Sequence, residues 1–437
     1  MRMQLESPRR SRLGRRLGAA ACLLLASGAT AARADPAAKW QLDASGLLYG
    51  ELARTDVLEP SARITRLFGG GQTLFATFAI DVVTGASPTG GIPTTTIQTT
   101  TTPSGHVKTQ AIGTVPTSQF SDTRYALDLG WMKPFGGWLI TEVGANYSNE
   151  RDYRSVGGSG KISLSLMRGL TTVSVGGGYN DDAVTPHGGT RAPLSDGTVI
   201  VSTDSNSKQV SSGLIGLSHV LTRRWMVGLT ASRIHEHGYL TEPYKVVSLV
   251  DSTSVDPVGQ VTEGRPGARD RKNVLLSSVY HFDNDVFYAS DRYYWDDWGI
   301  HSNAIDLRVR HDLESNRYVE PHVRYYLQTH ATFFHYALFQ SAPLPDYASA
   351  DYRLGDLQTF TLGATYGFRP AHSPGEFAIR AEYMRQWGSN SHPGDDGTET
   401  EQQTDLSPPA QIAYPSAQIA YPPVQIGSLA VIYTLQF

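Results

Sequence analysis

The chain has 437 residues, is 40% hydrophobic but only 18% charged, and carries a formal charge of −4. After the N-terminal region no apolar run reaches the roughly 18 residues that a membrane-crossing helix needs, so helical spans are excluded. The negative charge argues against nucleic acid as a partner.

The N-terminus reads as an address. Arg9, Arg10, Arg12, Arg15 and Arg16 form a basic region, Leu17–Ala29 an apolar one, and Ala32-Arg33-Ala34 a cleavage site. This order predicts a cleaved secretory signal over residues 1–34 and a barrel domain over 35–437. Loss of Met1–Ala34 removes seven Arg and one Glu, taking the formal charge to about −10. It also removes Cys22, the only cysteine, so the mature chain is expected to have no thiol chemistry.

From Trp40 onward the side chains alternate, apolar with polar, which is the strand period. The predicted strands are Trp40–Ala53, Val57–Leu67, Gln72–Thr84, Asp122–Lys133, Trp138–Ser148, Tyr153–Met167, Leu170–Asp181 and Gln209–Leu221. They continue with Trp225–His237, Asp270–His281, Asp285–Trp295, Ile300–His311, Arg317–His330, Tyr352–Tyr366, Glu376–Gly388 and Val424–Phe437. That is 16 strands of roughly 11–15 residues, long enough for tilted membrane spans.

Five gaps are long: Gly85–Ser121, Asp182–Lys208, Gly238–Arg269, Ala331–Asp351 and Ser389–Pro423. All are odd-numbered along the chain, so in an antiparallel barrel they share one end. The expected fold is therefore all-β: a single transmembrane antiparallel barrel with short periplasmic turns and long extracellular loops. Gly85–Ser121 and Ser389–Pro423 have the polar composition of solvated loops. Within the latter, Ala410–Pro415 recurs as Ala417–Pro422, a local duplication. Pro in every repeat rules out a coiled coil.

One face of the strands is rich in charge. Asp81, Arg124, Glu142, Arg292, Asp306, Arg308, Arg310, Glu320, His322, Arg324, Arg380 and Glu382 are the candidate lumen-lining residues. Such a face costs little against a wet lumen and much against lipid. Asp291 falls where this facing expects an apolar residue. Tyr125, Trp131, Trp138, Tyr147, Tyr179, Trp225, Tyr366, Tyr383 and Tyr433 sit near strand ends, as interfacial aromatic girdles do.

Catalytic and metal signatures are weak. His235 and His237 share a face with Glu236 on the other, and two His do not close a zinc site. Asp296 and Asp297 with Asp291 could face a hard cation, but Asp297-Trp298-Gly299 reads better as a solvated tight turn. No Gly-x-Ser-x-Gly elbow is present. No cofactor is expected.

Several blocks resemble a bacterial outer-membrane family known as domain-of-unknown-function family 3570. They are Asp81–Pro88 (DVVTGASP), Ser121–Arg124 (SDTR), Gly238–Lys245 (GYLTEPYK), Arg292–Ile300 (RYYWDDWGI) and Val319–Tyr326 (VEPHVRYY). The resemblance implies an outer-membrane barrel and carries no established activity. The final strand, ending in Phe437, also resembles the signal that such barrels present to their assembly machinery. Lipids of the outer membrane, that machinery and a small-molecule solute are the expected partners. Passage of small solutes is the leading functional expectation. A non-conducting surface or binding barrel and an outer-membrane hydrolase are the alternatives.

Overall fold

The computed structural model describes residues 40–436 except 53, 94–97, 102–106, 111–114, 255, 314–315, 371–372 and 389–423. The expected signal segment Met1–Ala34, the duplication in Ser389–Pro423 and Phe437 lie outside the described residues.

Sixteen strands close into one barrel. They are β1 (Trp40–Glu51), β2 (Thr55–Leu67), β3 (Thr73–Pro88), β4 (Thr117–Phe135), β5 (Leu139–Glu150), β6 (Tyr153–Leu166), β7 (Thr171–Val184) and β8 (Asn206–Thr222). The second half is β9 (Trp225–Gly238), β10 (Ala268–His281), β11 (Asp285–Asp296), β12 (His301–Leu313), β13 (Arg317–Gln328), β14 (Leu357–Phe368), β15 (Gly375–Gly388) and β16 (Val424–Gln436). Each strand pairs antiparallel with its chain neighbour, and β1 closes on β16 with Leu42 opposite Leu435 and Leu48 opposite Leu429. Closure matters because a lipid-facing strand edge would leave its backbone groups unbonded. Among the described residues no helix is long and apolar enough to cross a membrane.

Alternation gives the wall two chemistries. Outward stand Leu48, Leu58, Ile64, Phe78, Leu127, Val143, Ile162, Ile215, Leu276, Ile305, Leu362 and Val431, all exposed. A soluble fold would bury such a continuous apolar belt, whereas lipid covers it without cost. Tyr125, Tyr147, Tyr179 and Tyr383 stand toward the loop end of this belt, and Trp131, Trp138, Trp225 and Tyr366 toward the turn end. Asp291 also points outward, between Leu276 and Ile305, where Asn303 donates to its Oδ1 at 2.6 Å.

The long connections all share one end of the barrel, together with the short links between β1 and β2, β5 and β6, and β11 and β12, and the connections at the other end are all short. At the turn end Gly70 and Gly71 both adopt positive φ, a conformation with little penalty for residues lacking Cβ. Two strand expectations change. The pairing of β3 with β4 continues through Pro88 opposite Thr117, so the expected loop Gly85–Ser121 shrinks at both ends. The fourteenth strand begins at Leu357 and not at Tyr352. Tyr352–Leu354 is a 3-10 turn instead, in which Asp351 accepts from the Arg353 backbone N–H.

Candidate functional site

Two loops, residues 239–267 and 329–356, fold together over the loop end of the barrel. Val246–Val250 pairs antiparallel with Pro257–Thr262 and parallel with Ala337–Phe339. This small sheet has its own apolar cores. Val247, Val261, Ala348 and Ala350 form one, and Val250, Ile92, Tyr336 and Ala337 another. A third joins Phe333, Phe334 and Leu354 to Tyr294, Trp298 and Ile300 of the barrel rim. The apolar runs Val246–Val250 and Phe333-Phe334 are the sequence signal for this cap, and long loops hid it.

The cap is tied around the rim. Val246 N–H donates to Thr89 O at 2.8 Å, and Tyr244 Oη to Asp152 Oδ2 at 2.9 Å. Leu194 N–H reaches Thr262 O at 3.1 Å, and Thr332 N–H reaches Trp298 O at 2.8 Å. Gln328 Nε2 donates to Arg353 O and Gly355 O, both at 2.9 Å. The Arg54 guanidinium lies 5.5 Å from the centre of the Tyr352 ring. These anchors come from connections on opposite sides of a closed ring, so the cap crosses its mouth.

Charges are buried where the cap meets the barrel. Arg265 pairs with Glu263 at 2.7 Å and Asp351 at 2.9 Å, and Arg353 binds Asp351 through Nε at 2.7 Å. Lys245 donates to Ser87 Oγ at 3.0 Å and to Pro88 O. Burial pushes the Lys245 ammonium down to about 8 against the pull of Asp351. Burial would raise Asp351, but Arg353, Lys245 and Arg265 hold it well below the usual carboxylate range. Burial raises Glu263 despite Arg265. Glu242, Glu263 and Asp351 balance Lys245, Arg265 and Arg353 in formal charge, which is how buried charge becomes tolerable.

Below the cap the inner wall is charged. His322 on β13 stands between two carboxylates, with Nε2 2.9 Å from Asp306 on β12 and Nδ1 2.9 Å from Glu382 on β15. The second contact spans all of β14. It is open because Gly363 lies in register between the two residues. A Cβ there would stand 2.5 Å from Glu382 Cγ. Arg308 lies 3.5 Å from Asp306 and 3.7 Å from Glu320. Arg310 pairs with Asp312 at 2.9 Å and covers the Tyr318 ring, while Arg380 donates to Thr365 at 3.1 Å. Arg292 and Arg324 share this wall.

Asp81 and Arg124 pair elsewhere, on β3 and β4, while Glu142 on β5 lies opposite Met132, nearer the turn end, and pairs with Lys161 at 2.9 Å. By register the twelve residues singled out by alternation share one face of the wall, in three places: nine on β11–β15, Asp81 with Arg124 on β3 and β4, and Glu142 toward the turn end of β5. Lys161, Asp128 and Arg63 on the same face, and the rim pairs Arg269–Asp296 and Arg271–Glu236, were not among them. Lys161 and Arg63 carry the same alternation signal and could have been found. Arg269 sits at a strand end, where alternation fades.

Across the ring from β13–β15 lies β5–β8, eight strands away, whose inner face carries Gly144, Gly157, Ser159, Gly176, Gly178 and Ser212. Small side chains on that arc leave room in front of the charged one. His235 and His237 face outward while Glu236 turns inward. Asp296 is taken by Arg269 and Tyr294, not turned toward a cation. Among the described residues no group of three or more His, Cys, Asp or Glu is placed to hold a metal.

Four of the five sequence blocks meet at this junction, and the fifth, Val319–Tyr326, supplies His322 and Arg324 to the wall below it. Asp81 of the first pairs with Arg124 of the second, and Lys245 of the third reaches Ser87 and Pro88 of the first. Leu240 of the third packs on Tyr294, Trp298 and Ile300 of the fourth.

A family model described as "Protein of unknown function (DUF3570)" matches residues 14–417. No curated protein matches the chain. Among solved structures it is similar to the ferric enterobactin receptor PfeA, at 8% identity and TM-score 0.40, over 80% of this chain and 54% of that one. The chain thus spans about half of the receptor's length. It is also similar to a bacterial polysaccharide outer membrane secretin, at 8% identity and TM-score 0.43, over 92% of this chain and 100% of that one. The toluene transporter TodX of Pseudomonas putida matches at 8% identity and TM-score 0.36, over 92% and 90% of the two chains.

Proposed function

The chain belongs to the DUF3570 family, and from its capped, charge-lined barrel we propose that it passes small solutes across the bacterial outer membrane. The observation that carries this reading is the inner wall. Its charged residues sit back to back with a lipid-type belt, and a wall of that kind is cheap only if the lumen holds water. Sixteen strands enclose a lumen wide enough for an aqueous path unless loops fill it. The cap fills its extracellular mouth, so passage requires the cap to move. A second reading, a non-conducting surface barrel that binds through its loops, draws on the same cap with its own apolar cores.

Planar-bilayer conductance of the purified whole chain separates the two. The comparison is a variant in which residues 239–267 are replaced by a short turn. Passage predicts rare or small current steps from the wild type and frequent, larger ones from the shortened chain. Silence from both, with β-type circular dichroism intact, would discard passage in favour of the binding barrel.

A further inference from the structure

Arg292 on β11 and Arg324 on β13 stand on adjoining inner rungs of the wall. Arg292 is opposite Ala304 on β12, and Arg324 is opposite Asp306, two positions further along that strand. Between them on β12 stands Ala304, whose side chain ends at Cβ, with Tyr326 as its partner on β13. Tyr294, next above Arg292 on the inner face, is already part of the cap's apolar core, and Gln328, above Arg324, is hydrogen-bonded to the cap. The pair therefore lies just beneath the cap.

Among the described residues neither guanidinium makes an ion pair or a hydrogen bond. The carboxylates nearby are engaged by others. Asp306 is turned to His322 at 2.9 Å and Arg308 at 3.5 Å, Glu382 to His322 at 2.9 Å, and Glu320 to Arg308 at 3.7 Å. Arg292 and Arg324 are close enough to repel each other, and Arg292 is half-buried. Asp306 offsets part of that repulsion without pairing with either, and two like charges on adjoining rungs still cost free energy that an anion between them would recover. A guanidinium also presents a planar fork of donors that fits carboxylate and phosphate oxygens.

We propose that Arg292 and Arg324 form an oxyanion site in the lumen beneath the cap, which selects solutes bearing a phosphate or carboxylate group. This rests on the passage reading and names its solute class. In the neighbouring cluster Asp306, Glu320 and Glu382 face His322, Arg308 and Arg380, three charges of each sign with His322 protonated, which leaves these two for the solute.

The test is titration calorimetry of the whole chain in detergent at low salt, with inorganic phosphate and succinate as separate probes. The proteins are the wild type, the R292Q/R324Q double variant and R233Q, whose arginine faces outward. The wild type and R233Q should bind at least one probe, and the double variant should bind it about tenfold or more weakly, since each charged hydrogen bond contributes on the order of one decade. The tighter probe identifies the group preferred. Equal binding by wild type and double variant overturns the site, as does a wild type that binds neither probe. R324Q alone, expected to weaken binding several-fold, serves if the double variant does not fold. A wild type that binds phosphate but never conducts removes passage and keeps the site. One that conducts cations and anions equally and binds neither probe removes the site and keeps passage.

Discussion

At the residue scale the most specific arrangement is His322 between Asp306 and Glu382. When protonated, both its ring nitrogens donate, so one side chain links β12 to β15. Alternation placed all three residues on one face from the sequence alone. It could not show that the contact skips a strand, because that depends on Gly363, an unremarkable glycine until its register with both partners is known. Gly363→Ala would set a methyl against Glu382 Cγ and the Ala381 carbonyl. We expect a loss of about 1–3 kcal/mol, the usual cost of overpacking, read as a lower urea midpoint in detergent. Glu382→Gln should cost less, since it keeps an acceptor and adds no volume. If the alanine variant unfolds at the wild-type midpoint, the strand-skipping contact does not stiffen the wall. Asp291 shows the complementary limit. Alternation marked it as out of place among apolar neighbours, but its partner Asn303 lies on the next strand and carries no signal of pairing.

At the element scale the strands were legible and the cap was not. Strand order, number and sidedness follow from period-two alternation and from the parity of long gaps, both local properties of the chain. The cap joins segments about ninety residues apart, and its sheet includes a parallel pairing of only three residues. Such pairing leaves no periodic trace, and Tyr352–Leu354 therefore read as the start of a strand. The cap also carries the pH dependence expected of this molecule. Lys245 has an ordinary value of 10.5 in an opened cap and about 8 in the closed one. Between these values the opened cap holds a proton that the closed cap has released, so closure gains stability as pH rises through that window. Below it both states are protonated and the gain is absent. The surrounding guanidiniums do not titrate there, and burial pushes Tyr352 up to about 12. Amide exchange near Val247 and Ala348, corrected for intrinsic rate, should slow from about pH 7.5 to about pH 9.5. Lys245→Met should flatten the dependence. A flat wild-type profile would mean that the ammonium stays charged in the closed cap.

At the scale of the whole molecule, the fold depends on keeping the apolar belt on one side of every strand and the charged wall on the other. Every strand contributes to both, so one register error would exchange all side chains of that strand. Alternation along each strand sets the two faces, and closure of the ring holds them in register. β1 meets β16 in a register that keeps Leu42, Leu48, Leu429 and Leu435 outward and lets Thr434 donate to Asp43 inside at 2.8 Å. Paired substitutions test the assignment. Leu362→Arg places a guanidinium on the exposed outer face of β14, where mid-depth burial in lipid costs about 2–4 kcal/mol. Thr361→Arg, one residue away, places it on the inner face beside Arg324. The first should reduce the folded, heat-modifiable barrel recovered from lipid vesicles. The second should reduce assembly less, because a guanidinium extending from the buried Thr361 position reaches toward the lumen, even though it adds a like charge beside Arg324. Equal losses from both would mean that the lumen is dry at this level, and a larger loss from Thr361→Arg would mean that the two faces of β14 are reversed. The neighbouring strands carry their own version of the test, since Val323→Arg on β13 should behave as Leu362→Arg does, the two positions being partners in the ladder.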